Sequence, residues 1–297
     1  MISGSSAHYH PSMGSSGASV EATFFGTTTV HLSDGTSGIL IDGFLSRPSL
    51  LRVALGRVAP DLGRINRALT RAGVTDLDAL FVAHSHYDHA MDAPEIVKLL
   101  GGRLFGSEST LHVGRGSGLG EESMTRIADG DEHTIGAFTV RVLAGAHSPG
   151  NRFPGTIEQP LVPPVRASSY RDGGCFSFFI THPGGSLLIH PSANFVPGRF
   201  DGLDADVLYL AVGALGVQPQ QFQSDYWRHV VEATRPDLIV PIHWDDFFVS
   251  LDRRLRPLPA VFDRFAVTKA FLDRKSAESG IPVRFPEPFE MIRPFAR

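Results

Sequence analysis

The stretch Val82-Ala83-His84-Ser85-His86-Tyr87-Asp88-His89 places three imidazoles and a carboxylate within six residues. Imidazole nitrogen and carboxylate oxygen together suit zinc and its first-row neighbours. His84 and His86 are two apart, so an extended backbone turns both to one side. Asp88 and His89 follow where the chain can bend back toward the same point. Four such groups cannot all bind one tetrahedral zinc and leave a position open for chemistry. The spacing therefore predicts metal-assisted catalysis, with two cations or with one beside a partly filled second site.

Such side chains need rigid elements to aim them. The apolar run Leu80-Phe81-Val82 comes directly before the cluster, and residues 79–83 read as a strand that delivers it. His147 follows a β-like run at 137–144, and His243 follows the apolar run 238–242. Both hold the place that His84 holds, at the C-terminal end of an apolar run, which makes them candidate ligands from elsewhere in the chain.

The remaining pattern supplies the frame. Residues 23–31 and 38–42 read as strands separated by the turn signal Ser33-Asp34-Gly35. A helix is predicted over 61–73, where Leu62, Ile65, Leu69 and Ala72 fall at helical spacing, and another over 91–100, ended by Gly101-Gly102. A second half repeats the order, with strands at 175–181 and 186–190 around Pro183-Gly184-Gly185, a strand at 206–212, a helix around 222–234, then 238–242. Two halves of strands first and helices after predict an α/β (α+β) sandwich. No low-complexity linker divides residues 21–297, which are expected to form one domain. Residues 1–20 are rich in Ser and Gly and are expected to be a flexible tail, not a signal peptide. His8 and His10 in that tail are read as having no metal role.

The chain has 297 residues, is 42% hydrophobic and carries a formal charge of −4, the balance of a globular protein with no basic stripe for a nucleic-acid backbone. Cys175 is the only cysteine, so an intrachain disulfide is excluded, which suits a cytoplasmic location. No apolar run reaches the length of a membrane span. The expected partner is a small-molecule substrate, with no nucleic acid and no membrane, and the oligomeric state is left open.

The residues carry a resemblance to the metallo-β-lactamase-fold hydrolase superfamily. Its H-x-H-x-D-H motif is matched at His84, His86, Asp88 and His89, and its two later histidines at His147 and His243. Asp42, closing Gly38-Ile39-Leu40-Ile41-Asp42-Gly43, matches an early structural Asp of the family. The resemblance covers roughly residues 22–292. It implies a four-layer αβ/βα sandwich of two mixed sheets with helices outside. It also implies a first metal site of His84, His86 and His147 and a second of Asp88, His89 and His243. Zinc is the expected cofactor, one or two ions, with Mn2+ or Fe2+ as alternatives.

One departure stands out. The family's Gly-Asp pair, whose Asp bridges two metals, is replaced by Pro191-Ser192 after the run Leu187-Leu188-Ile189-His190. A hydroxyl is a poorer ligand than a carboxylate, so the second site is expected to be weakened or supplied by another group. His190, Asp245 and Asp246 are the candidates. Asp42 is expected to hold a ligand or a loop, or to cap a turn, and Asp88 to orient or shuttle the proton of a metal-bound hydroxide.

The implied activity is hydrolysis of a small ester, lactone or amide. A phosphodiesterase is the nearest alternative, and a degenerate relative that binds metal or ligand without turnover is a further one. A nucleic-acid-processing relative would need an inserted domain for which 147–243 has no room. A di-iron redox relative would need the missing bridge. Other features get plain readings. Residues 149–174 are an irregular loop. Gly114–Gly120 is a glycine-rich loop, with anion binding at Gly114-Arg115-Gly116-Ser117-Gly118 as the alternative. Tyr87 packs or reaches substrate, and Cys175 is a buried, unreactive thiol.

Overall fold

The computed structural model of the protein describes residues 19–295. Most of the expected tail, with His8 and His10, lies outside the described residues. Val20, assigned to the tail from composition, is buried at the foot of the first strand.

The first sheet is built from β1 (Glu21–Gly26), β2 (Thr29–Ser33), β3 (Gly38–Ile41), β4 (Ala79–Phe81), β5 (Arg103–Gly106) and β6 (Met124–Arg126). The second is built from β7 (Glu132–Ile135), β8 (Phe138–Gly145), β9 (Cys175–His182), β10 (Gly185–His190), β11 (Val207–Ala211) and β12 (Leu238–Ile242). The last strand, β13 (Met291–Ile292), returns to pair antiparallel with β1. The strand orders are β13-β1-β2-β3-β4-β5-β6 and β12-β11-β10-β9-β8-β7. Both sheets are mixed, as the resemblance implied.

The two halves share one plan. Each has an antiparallel hairpin, β2–β3 or β9–β10, whose second strand then pairs in parallel with the next. Helices α1 (Leu50–Leu55) and α2 (Leu62–Ala72) connect β3 to β4, and α3 (Tyr87–Ala90) and α4 (Ala93–Leu100) connect β4 to β5. Helix α5 (Glu108–Gly116) follows β5, and α6 (Gln220–Tyr226) runs on into a π-helical turn at Trp227–Glu232 before β12. Helix α7 (Phe265–Ser279) comes last. No helix among the described residues is long and apolar enough to cross a membrane.

Period-two alternation sorts the core. Val207, Tyr209 and Ala211 of β11 join Phe81, Val140 and Ile180 in a cluster fed by both sheets. Leu208 and Leu210 point the other way, onto Trp227, Val230, Val231, Phe271 and Leu272 of the helical layer. A strand apolar on both faces is a strand covered on both faces, so β11 gives its neighbour β12, which leads into His243, a rigid base.

Local chemistry explains the boundaries. Asp61 caps α2 by accepting from Arg64 N, and Gly73 ends it at φ 70°. The predicted strand 23–31 is two strands, because Gly26 and Thr27 take positive φ and turn the chain. Asp34 Oδ1 accepts from the backbone N–H of Thr36 and Ser37, which makes the expected turn before β3.

The glycine-rich run is corrected by the structure. Gly114 and Gly116 lie inside α5, where a Cβ on Gly114 would meet Met124 Sδ at 2.5 Å and one on Gly116 would meet Leu161 O at 2.0 Å. These glycines allow close packing, and the amides of Ser117, Gly118 and Leu119 after them donate to carbonyls of α5. Arg115 is spent on Glu108 and Glu121, at 2.6 Å each. Gly116→Ala is expected to push the 149–174 loop off α5 and cost about 1–3 kcal/mol as an overpacking change. Urea midpoints and the rate of proteolysis in that loop check this; unchanged values would contradict the packing account.

Candidate metal centre

The C-terminal ends of β3, β4, β8 and β12 converge at one edge of the two sheets. They bring Asp42, His84, His147 and His243 together from across the chain. His86 stands just before the short helix α3, which carries Asp88 and His89. Two sets of ligand atoms result, each set mutually within 4.8 Å: His84, His86 and His147, and Asp88, His89 and His243. The rings of His84 and His147 are 4.8 Å apart, and those of His86 and His147 are 4.7 Å apart.

Electrostatics make this crowd costly by itself. Burial first, then the neighbouring imidazoles, hold His84 well below the usual histidine range. Burial and His86 bring His147 to about 4. Burial alone would raise Asp88, but His243, His89 and His86 outweigh it and hold that carboxyl well below its usual range. His89 goes the other way: burial pulls it down, while Asp42 overcomes that and raises it.

The donors fit a divalent cation. Both nitrogens of His84 are buried with no hydrogen-bond partner, an arrangement that costs free energy unless something accepts them as ligands. His89 Nδ1–H donates to Asp42 Oδ2 at 2.7 Å, which leaves its Nε2 facing Asp88 Oδ2 at 3.8 Å. His147 Nδ1–H donates to the Ser148 carbonyl at 2.9 Å and likewise frees Nε2. His243 Nε2 lies 3.5 Å from Asp88 Oδ2. A carboxylate or carbonyl on the far nitrogen, as at His89 and His147, is the usual support of a metal ligand. His86 Nε2 faces the Phe153 carbonyl at 3.2 Å, so the 149–174 loop touches the site.

The expected substitutes for a bridging carboxylate are corrected by their partners. His190 Nε2–H donates to Asn194 O at 2.7 Å, and its Nδ1 accepts from Ser177 Oγ at 2.7 Å. Neither nitrogen is left for a cation. Asp245 accepts from Thr27 N on one oxygen and from buried Arg47 on the other. Asp246 caps Phe248 N and pairs with Arg256. Ser192 Oγ accepts from Ser148 N at 2.9 Å and lies 3.1 Å from Ser148 Oγ, so it steadies the loop after His147. Among the other residues singled out, Tyr87 packs edge-on against Phe44, and burial pushes the Cys175 thiol up to about 12.

His190 also carries a pH prediction. Burial holds its imidazole at about 4. It is neutral in the fold and charged in the unfolded chain below about 6.5. Its contribution is therefore present above pH 6.5 and lost as pH falls from 6.5 toward 4, by roughly 3 kcal/mol in all. The stability gap between wild type and His190→Gln is expected to shrink by that amount between pH 7 and pH 4 in denaturant titrations. A constant gap would rule the neutral imidazole out.

Sequence alone did not point to Thr28, whose Oγ1 donates to Asp42 Oδ2 at 2.5 Å and lies 3.0 Å from His89 Nδ1. It did not point to Asn194 either, whose amide donates to the His147 carbonyl. Residues 38–244, which hold every residue of both sets, match the family described as the beta-lactamase superfamily domain. The chain belongs to this family. It is 22% identical over 237 residues, 77% of this chain and 84% of the relative, to a UPF0173 metal-dependent hydrolase of Heliobacterium modesticaldum. Its fold matches the metallo-beta-lactamase fold protein YhfI from Bacillus subtilis, with a TM-score of 0.56, 13% identity, and 92% and 99% of the two chains covered. It also matches CmlA, a diiron beta-hydroxylase from Streptomyces venezuelae, at a TM-score of 0.60 and 15% identity, over 93% of this chain and 54% of that one. The two mixed sheets with their helices are thus the metallo-β-lactamase sandwich, and both three-donor sets lie within the matched family domain.

Proposed function

We propose that this protein hydrolyses a small ester, lactone or amide with one or two zinc ions. The observation that carries the reading is the pair of three-donor sets at one sheet edge, with His84 buried and its nitrogens unpartnered. His84, His86 and His147 would hold one cation, and Asp88, His89 and His243 a second. A cation held there would supply Lewis acidity, lowering the pKa of water toward about 7 and polarising the bond to be broken. Asp42 and the Ser148 carbonyl fix the tautomers of His89 and His147, so that Nε2 of each faces inward. Asp88 stays ionised at neutral pH, so it would accept a hydrogen bond from a hydroxyl and has no proton of its own to give. His84, Asp88 and His89 are almost sealed from solvent, which strengthens each of these contacts.

Acyl substrates are favoured because, among the described residues, no carboxylate belongs to both sets: Ser192 is neutral and Asp245 is occupied by Arg47. The completeness of the second set favours a phosphodiester instead, since paired cations suit in-line phosphoryl displacement. Zinc is preferred for a set made mostly of imidazoles; iron in the purified protein would move the reading toward the chemistry named for CmlA. A small-molecule substrate and a cytoplasmic location complete the proposal, the latter supported by the single, buried cysteine.

The test is metal analysis of the purified chain and of His86→Ala, followed by a screen of the zinc-loaded protein on lactones, carboxylic esters, thioesters, phosphodiesters and β-lactams. Zinc retention lost in His86→Ala, with turnover confined to acyl compounds, is expected. Turnover of phosphodiesters alone selects the second reading, and a wild type that takes up no metal removes both.

A further inference from the structure

The turn between β1 and β2 joins the two halves of the second donor set. Thr27, Thr28 and Thr29 are fully buried. Thr28 reaches Asp42 and His89, which belong to the N-terminal half. Its neighbour Thr27 reaches the C-terminal half, where its carbonyl accepts from His243 N at 2.5 Å and its own N–H donates to Asp245 Oδ1 at 2.8 Å. One short turn therefore contacts the backbone of one donor and the ring support of another.

Arg47 locks this turn. Its guanidinium is sealed from solvent, pairs with Asp245 and donates to Thr27 Oγ1 at 3.1 Å and to Val249 O at 3.4 Å. The fold makes room for it: a Cβ on Gly26 would fall 2.1 Å from Arg47 Nη2 and 3.2 Å from Asp245 Oδ2. Arg47 is in turn held by its neighbours. Asp92, three residues after His89, accepts from Leu45 N and Ser46 N, and Arg64 donates to the carbonyls of Ser46 and Arg47.

His243 needs this support. It sits at φ 57°, where a residue with a side chain is strained. Gly213 also approaches so closely that a Cβ there would meet the His243 carbonyl at 2.8 Å. The imidazole is thus aimed by the backbone at Thr27 and at Gly213, and the first of these depends on Asp245 and Arg47.

We infer that Arg47 is a positioning residue: through Asp245 and Thr27 it sets the distance of His243 from Asp88 and His89. It also keeps the Asp245 carboxylate, two residues from His243, from turning to a cation itself. The inference rests on the metal reading of the second set. Removing Arg47 should weaken that set selectively, by about 10–100-fold, the usual effect of losing a group behind a metal ligand. A merely structural arginine would weaken both sets alike.

The experiment is titration of metal-free, full-length protein with cobalt(II), followed by calorimetry and visible absorption. His86→Ala and His243→Ala assign the binding events to the two sets. The variants tested are Arg47→Met and the double Arg47→Met/Asp245→Leu, which removes both charges of the pair and keeps the fold measurable if the single variant does not. The expected result is a His243-dependent event weakened about 10–100-fold, with the His86-dependent event within about 3-fold of wild type. Two wild-type events with no change in the folded variant, or equal weakening of both, overturn the role of Arg47 while the metal reading stands. A wild type whose binding is indifferent to His243→Ala overturns the metal reading of that set and the role of Arg47 with it.

Discussion

Metal-free His84→Ala is expected to unfold at nearly the same denaturant concentration as metal-free wild type, and to gain nothing when zinc is added. Truncating a buried side chain of this size normally costs about 2–5 kcal/mol, from lost contacts and the cavity left behind. At His84 an opposing term is present. Both ring nitrogens are buried without a partner, and each such group costs about 1–3 kcal/mol that the variant recovers. The rings of His89, His86 and His147 stand 3.7, 4.9 and 4.8 Å away, and burial first, then neighbouring imidazoles, hold His84 well below the usual histidine range. The two terms leave a net change of about 1 kcal/mol. Leu188→Ala, on β10 and buried in the apolar cluster beneath the helical layer, has no such offset and should lose the whole amount.

Zinc separates the two proteins. A ligand present at about 1,000 times its Kd stabilises the fold by about 4 kcal/mol, a gain that wild type should show and His84→Ala should not. Turnover should fall about 1,000-fold or more, since the cation supplies several kcal/mol of the rate enhancement. Paired denaturant titrations with and without zinc read both effects. A metal-free variant as damaged as Leu188→Ala, or one that keeps the zinc shift, would mean that His84 is an ordinary core residue.

The motif was legible because its information is local: residue type, spacing and the preceding apolar run all lie within ten residues of His84. His147 and His243 were legible by position, at the ends of runs that became β8 and β12. Partners were not legible. His190 is as much an imidazole as His84, yet Ser177 and Asn194 take both of its nitrogens. Asp245 sits as close in sequence to His243 as a ligand would, and only folding brings Arg47 onto it from 198 residues away.

The missed elements have physical reasons too. Strands β5, β6 and β7 have only three or four residues each, too few for period two to register. Helix α7 buries only Thr268, Phe271 and Leu272, so its apolar stripe is faint. Glycines in α5 looked like a loop because a close helix contact and a loop ask for the same residue. The strand predicted over 23–31 hid the Thr27-Thr28 turn, since threonine favours strands and nothing in the sequence marks these as anchors for Asp42 and His243.

The second large effect is expected at Asp245. Asp245→Ala removes the only carboxylate that pairs with Arg47 among the described residues, and leaves a guanidinium with no solvent exposure. Breaking a buried pair from one side costs about 3–5 kcal/mol, because the remaining charge has lost both water and partner. Thr27 Oγ1 and Val249 O still accept from Arg47, but neither carries a charge. The double variant Arg47→Met/Asp245→Leu should recover most of this loss, since apolar side chains of similar volume satisfy the same space. Urea midpoints of the two variants test the difference, and a single variant as mild as the double would show that solvent reaches Arg47. Recovered stability together with a still-weakened His243-dependent event would separate two roles that a single substitution confounds. The ion pair would then be retained for where it puts His243, since the fold can be as stable without it.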